Sequence, residues 1–178
     1  MLRVAGRKYM LLTLGNYGKS FLRETMPELA GTSVTCSNFI GEALQIACTY
    51  EFAGVLLVGH IGKLVKVGAG IMNTHSDQAD ARMDVLMSCG VRAGMESGVL
   101  KQIEDCITVE EALTVLQSQP LYDRLIEVLM QRIEYYLEQK VKDRMSVGAV
   151  VFSNRYGILG KTARADEIRK KIREETDG

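Results

Sequence analysis

Net charge is the first thing this chain lacks. Its 22 Lys and Arg are matched by 22 Asp and Glu, so no global field draws in nucleic acid or an anionic membrane, and a bound anion must be held by local groups. Long apolar runs are missing as well: the longest are a handful of residues, far below the roughly 20 that a membrane span needs. The N-terminus shows no basic region followed by an apolar stretch and a cleavage site, so the protein reads as soluble and cytoplasmic. Cysteine is scarce. Cys36, Cys48, Cys89 and Cys106 form no CxxC pair, which excludes a zinc knuckle or a dithiol redox motif. Cys48, Cys89 and Cys106 lie among apolar residues and are expected as small core hydrophobes in a reducing compartment. Cys36 sits at the strand-to-helix junction SVTCSNF, where a helix N-terminus can lower a thiol pKa, though burial is the expected state there too.

Signature motifs are also absent. GHIGKLVK lacks the GxxxxGK[ST] spacing of a P-loop, GILGKT has too short a glycine interval, and no GxGxxG supports a classical dinucleotide site. No GxSxG elbow offers a seryl nucleophile. His60, His75, Asp77 and Asp80 have neither an i, i+4 His–His pair nor an HExxH arrangement, so no metal site is expected. Nor is there an internal repeat, a low-complexity tract or a linker. At 178 residues the chain suits one domain with a real core and is too short for two of comparable size.

What is present is an alternation of strand and helix signals. Lys8–Leu14 (KYMLLTL) is an apolar run stopped at Gly15-Asn16, and a helix over Gly18–Glu24 closes before Pro27. Ser33–Thr35 is a second strand. Ser37 or Asn38 suits the cap of a helix over Phe39–Phe52, in which Ile40, Ala43, Leu44 and Ala47 mark one buried face. Gly54 ends that helix and Val55–Val58 supplies a third strand. Further helices are predicted over Ala79–Ser97, with Ser76 or Asp77 as cap, over Val109–Gln117, capped by Thr108 with Glu110 and Glu111 in its first turn, and over Leu121–Val141. Met145–Ser153 is a fourth strand, Asn154–Gly160 a loop, and Arg164–Glu174 a charged, solvated helix. The expected fold is α/β, a three-layer Rossmann-like domain over residues 1–178, with a mainly parallel sheet of about four strands and helices on both faces.

In such a sheet ligands sit outside the carboxyl ends of the strands. There the sequence reads GNYGKS after the first strand, CSNFIGE after the second, GHIGK after the third and SNRYGILGKT after the fourth. Each is glycine with a polar or cationic residue, and three carry an asparagine. Glycine lets a ligand approach the backbone closely, although any one such loop is equally well explained by turn geometry. The third loop is richer. His60, Lys63 and Lys66 follow the strand directly, the two lysines three apart on one helix face and also readable as an ordinary solvated face. The run Asn73-Thr74-His75-Ser76-Asp77 then gathers more hydrogen-bonding groups than a plain connection needs.

The stretches GNYGKSFLRE (Gly15–Glu24), CSNFIGEAL (Cys36–Leu44) and LLVGHIGKLVKVGAGIMNTHSDQADAR (Leu56–Arg82) together resemble the CbiD family, the cobalt-precorrin-5B methyltransferases of anaerobic cobalamin biosynthesis. The likeness continues in weaker form through VVFSNRYGILGKT. It covers the carboxy-terminal half of the family pattern; the small-residue TTG-type motif with which members usually begin is not found. The chain is therefore expected to be the carboxy-terminal domain of a longer two-domain protein, or to work with a separate amino-terminal half, and a homo-oligomer is a further possibility.

The resemblance implies methyl transfer from S-adenosylmethionine to C-1 of a cobalt-bound corrin precursor, giving cobalt-precorrin-6A. Cobalt enters only as part of the tetrapyrrole substrate, and no nucleic acid or membrane partner is implied. On that reading His60 or His75 is the candidate base, since imidazole titrates near neutral pH. Gly15, Asn16, Gly18, Asn38 and Glu42 would hold the methyl donor, with Glu42 facing its sulfonium or amine. Gly59, Lys63, Lys66, Asn73, Thr74 and Arg82 would meet the substrate and its carboxylates. Two other readings stand beside it: a non-catalytic domain that binds donor or tetrapyrrole, and a generic Rossmann-like nucleotide enzyme.

Overall fold

The computed structural model describes residues 6–177. β1 (Tyr9–Thr13) leads through α1 (Gly15–Thr25) and α2 (Pro27–Ala30) to β2 (Ser33–Thr35), and α3 (Ile40–Thr49) returns the chain to β3 (Gly54–His60). Five helices then precede β4 (Ser146–Ser153): α4 (Ile61–Val67), α5 (Arg82–Ala93), α6 (Ser97–Glu104), α7 (Val109–Gln117) and α8 (Tyr122–Val141). β5 (Gly157–Lys161) and α9 (Ala165–Asp177) complete it. The sheet order is β2-β1-β3-β4-β5, with β5 antiparallel to β4 and every other pairing parallel.

Side-chain alternation builds three layers from this sheet. Leu12, Val55, Leu57, Val147, Ala149 and Val151 face one core, roofed by α3 to α8. Leu11, Leu56, Val58, Val150 and Phe152 face the other, beneath Leu22, Met26 and Leu29 of the first two helices and Ala165, Ile168 and Ile172 of α9. Val55–Val58 is fully buried, as a central strand covered on both faces must be. The expected three-layer α/β architecture is the one observed. Among the described residues no helix is long and apolar enough to cross a membrane.

Several local expectations need correction. The segment expected as a loop over Asn154–Gly160 contains most of a fifth strand: a turn ending at Gly157, with φ 69°, folds the chain back so that Gly157–Lys161 pairs with β4. The helix expected over Ala79–Ser97 starts at Arg82 and stops at Ala93, because Gly94 takes the left-handed conformation (φ 87°) that closes helices readily only as glycine. Ser97 opens α6 instead. Pro27, expected as a stop, also occupies the first turn of the short α2. Ser37 and Asn38 do not cap α3, whose N-cap is Phe39 without a side-chain bond. Ser76 and Asp77 lie in a turn, and Ala81 precedes α5. The cap at Thr108 is present, as a full box with Glu111.

The order of the strands locates the crevice. From β1 the chain moves to β2 over the face of α1 and α2, then crosses by α3 on the opposite face to β3, on the other side of β1. The connections after β1 and β3 therefore part company at their carboxyl ends, the switch point at which open α/β sheets take ligands.

Candidate functional site

Gly15 opens the β1 side of that crevice with φ 71°, a conformation that costs any L side chain. A Cβ placed there would lie 3.2 Å from Lys63 Nζ, so the first turns of α1 and α4 meet across the switch point. Asn16 and Tyr17 are exposed beside it. Gly18 has a different reason to be glycine: it is buried, and a Cβ would come within 3.1 Å of both Thr13 Cβ and the Val58 carbonyl. Gly59 is likewise wedged against Leu14 and Leu64. At both positions glycine allows close packing within the fold.

Lys63 is half-buried. Burial lowers the pKa of its ammonium, partly opposed by the neighbouring Cys36 thiol. Among the described residues its Nζ makes no hydrogen bond or ion pair, so a cation stands in the crevice with donors to spare. Cys36, at the end of β2, donates its S–H to the Thr13 carbonyl at 3.7 Å. Burial pushes its thiol up to about 11, which makes it no nucleophile near neutral pH. Of the other cysteines Cys89 alone is fully buried, while Cys48 and Cys106 are partly so.

At the end of β3 His60 caps α4, its Nδ1 accepting the Gly62 N–H at 3.1 Å. The ring proton of the neutral form is therefore on Nε2, which lies 2.9 Å from Glu110 Oε1. Glu110, in the first turn of α7, also accepts the Ser153 hydroxyl at 2.8 Å from each carboxylate oxygen. Ser153, the last residue of β4, accepts the N–H groups of Arg155 and Tyr156 at 3.1 and 3.2 Å. The Tyr17 ring stands 5.7 Å from the imidazole, and Phe152 meets it edge-on at 5.6 Å. Both nitrogens of His60 are engaged, and proton abstraction by this ring would require its cap to open.

The remaining candidates form a second group behind the crevice. Asn38 accepts Thr74 Oγ1 at 3.2 Å and its carbonyl accepts the Thr74 N–H, while Phe39 and Asn73 form an antiparallel bridge. Asn38 and Thr74 thus satisfy each other. Lys66 corrects the expectation of two lysines on one exposed face: it is 3% exposed, and its Nζ donates to the carbonyls of Thr74 and Ala79 at 3.2 and 2.7 Å. It binds the loop to α4 with two of its three donors. Asn73 Oδ1 accepts the His75 N–H, and the exposed His75 accepts from Asp77 N–H at Nδ1. Arg82 grips Asp80 through two bonds of 2.7 Å, which hold the Asp80 carboxyl down at about 2. Glu42 and Asn73 share a shallow depression of about 370 Å³ with Gln45, Met72 and Lys140.

The crevice therefore collects Gly15, Asn16, His60 and Lys63, and leaves Lys66, Thr74, His75, Arg82 and Glu42 outside it. Sequence reading missed Glu110 and Ser153. Ser153 ends an apolar strand, a position that marks a rim residue; Glu110 reads as an ordinary first-turn acid, and nothing local ties it to a histidine 50 residues away. Among the described residues no three His, Cys, Asp or Glu side chains group closely enough to hold a metal ion.

Comparison with known proteins assigns the chain a family. Residues 73–163 match the family model described as CbiD, C-terminal domain. A protein of Listeria monocytogenes serotype 4b (strain CLIP80459) named cobalt-precorrin-5B C(1)-methyltransferase is 35% identical over 97% of this chain and 47% of its own length. Proteins of the same name from Photorhabdus laumondii and Clostridioides difficile are 36% and 33% identical, over 97% and 94% of this chain and 46% and 42% of theirs. No solved structure matches. The chain spans about half the length of these relatives, and it belongs to the CbiD family, with residues 73–163 matching the family's C-terminal domain.

Proposed function

We propose that this chain carries out its share of methyl transfer from S-adenosylmethionine to C-1 of cobalt-precorrin-5B, giving cobalt-precorrin-6A in cobalamin biosynthesis. The observation that carries the reading is the match, over nearly the whole chain, to relatives bearing that enzyme name. The crevice suits the chemistry. Methyl transfer from a sulfonium is an in-line displacement: the S–CH3 bond breaks with its electron pair on sulfur as the C–CH3 bond forms, and the protein's main task is to hold donor and carbon in register.

A corrin precursor presents carboxylates, and Lys63, half-buried and without a partner among the described residues, is the cation to receive one. Gly15, having no Cβ, lets the Lys63 ammonium stand close against the first turn of α1, with Asn16 beside it for hydroxyl or amide contacts to a donor. Asn73 and Glu42 would meet only a substrate edge reaching their outer depression. No free imidazole lone pair faces the crevice, so His60 is assigned to support of the rim and His75 to the loop.

Coverage of about half of each relative favours a second reading, in which this domain binds donor or tetrapyrrole and the chemistry needs groups from elsewhere. One experiment separates them. The chain is incubated with methyl-labelled S-adenosylmethionine and cobalt-precorrin-5B, alone and with the separately expressed amino-terminal half of the Listeria relative, while calorimetry follows S-adenosylhomocysteine and cobyrinic acid. Label transfer supports the enzyme, binding without transfer in either mixture supports the module, and absence of both removes the two readings together.

A further inference from the structure

Glu110 and Ser153 are not needed to build the crevice lining, yet they form its shortest side-chain network. Its hydrogen bonds converge on the Glu110 carboxylate from two sides. The Ser153 hydroxyl, fixed by the Arg155 and Tyr156 N–H groups, donates to Glu110; His60 Nε2–H donates to the same carboxylate, N to O 2.9 Å; and His60 Nδ1 accepts the Gly62 N–H, one residue before Lys63. A carboxylate from α7 and a hydroxyl from β4 thereby set the ring that holds the first turn of α4.

We propose that Glu110, oriented by Ser153, is a positioning residue that acts through His60 to aim Lys63 at the switch-point crevice. The inference rests on the reading of Lys63 as an anion contact and goes beyond it by naming what places that contact. Three features support a positioning role over a simple surface ion pair. His60 has a single ring orientation that satisfies Gly62 and Glu110 together, since one nitrogen must accept while the other donates. Tyr17 and Phe152 lie beside the ring but among the described residues neither hydrogen-bonds it, so Glu110 is the side chain that fixes its flip state. Finally, a long side chain such as Lys63 reaches its target only if its backbone is fixed, and α4 is a short helix of seven residues whose start depends on this cap.

The test uses the full chain. Its two histidines allow the imidazoles to be resolved by ring-nitrogen NMR, with exposed His75 as internal control. In the wild type His60 should show a protected Nε2 proton, and the Gly62 amide should exchange slowly. Glu110→Ala is expected to lose the Nε2 proton signal and to speed Gly62 exchange about tenfold. Glu110→Gln, which keeps an acceptor oxygen, should restore part of both, and Ser153→Ala should fall between. On the ligand side, Glu110→Ala should weaken cobyrinic acid binding about tenfold in the Lys63 protein and have no measurable effect beside Lys63→Met, the non-additivity expected of residues in one network. Unchanged Gly62 exchange in Glu110→Ala, or equal losses in the two Lys63 backgrounds, would overturn the proposal. If the wild type does not bind cobyrinic acid, the reading of Lys63 fails separately, and the Nε2 proton and Gly62 exchange still decide whether Glu110 works through His60.

Discussion

Lys66 shows how much a single buried atom can decide. Its ammonium supplies the donors for two loop carbonyls, those of Thr74 and Ala79. Lys66→Met keeps the apolar stem but leaves these acceptors short of donors, which should cost about 2 kcal/mol and lower the melting temperature by about 4–8 °C. Hydrogen exchange should then quicken through residues 73–81. An unchanged melt would mean that the loop is held by other contacts. Asp80 gives a prediction in pH. Arg82 holds its carboxyl at about 2 against the usual 3.8, so the stabilisation is complete above pH 3.8 and is lost as pH falls through about 2. Asp80→Asn should remove that part of the acid sensitivity, visible as a shallower loss of stability between those two pH values. Neither residue's part was legible in the sequence. The polar block of Asn73 to Asp77 did stand out as excessive for a connection, and it proves to be a loop bound to α4 through Lys66 and to the segment before α3 through Asn38 and Phe39.

At the scale of elements, glycines mark where packing overrules propensity. Gly148 lies in β4, where a Cβ would stand 2.9 Å from Ala165 Cα and 3.1 Å from Ala165 N; these are backbone atoms at the start of α9 and have no rotamer by which to yield. Gly148→Ala should therefore cost about 1–3 kcal/mol. Gly98, within α6, has nothing within 4 Å of such a Cβ, and Gly98→Ala should stabilise by about 0.5–1 kcal/mol through helix propensity and the unfolded chain. Opposite shifts in chemical denaturation would confirm the contrast, whereas similar shifts would show that the α9 approach is looser than its distances imply. Of the four parallel strands, β1, β3 and β4 were readable because continuous apolar runs such as Val55–Val58 belong to buried strands, whereas the short, largely exposed β2 was marked only by its place between two helices. β5 was not readable, because GILGK at a sheet edge carries two glycines and no alternation, and only its pairing with β4 makes it a strand. α6 was not expected either: the predicted helix ended at Ser97, where α6 begins, and a helix of eight residues with Gly98 in its first turn is too short to show a clear period.

For the molecule as a whole, zero net charge separates binding strength from capture rate. Lys63 provides one local cation in a protein without a global field, so an anionic corrin ligand should be held by contact and not drawn in from a distance. Raising ionic strength from about 0.02 to 0.2 M shortens the screening length from roughly 20 Å to roughly 7 Å. The association rate of cobyrinic acid should nevertheless change by less than about threefold, because little long-range attraction exists to be screened. Lys63→Glu should act differently: it places an unpaired carboxylate in the same half-buried position and should reduce affinity at least about tenfold at either salt concentration, chiefly through faster dissociation. Stopped-flow measurement of both rates checks this division. A tenfold fall in the wild-type association rate with salt would show that surface charges are grouped into a steering field despite their balance, and a Lys63→Glu effect that vanished at high salt would place the lysine on the approach path and outside the bound contact.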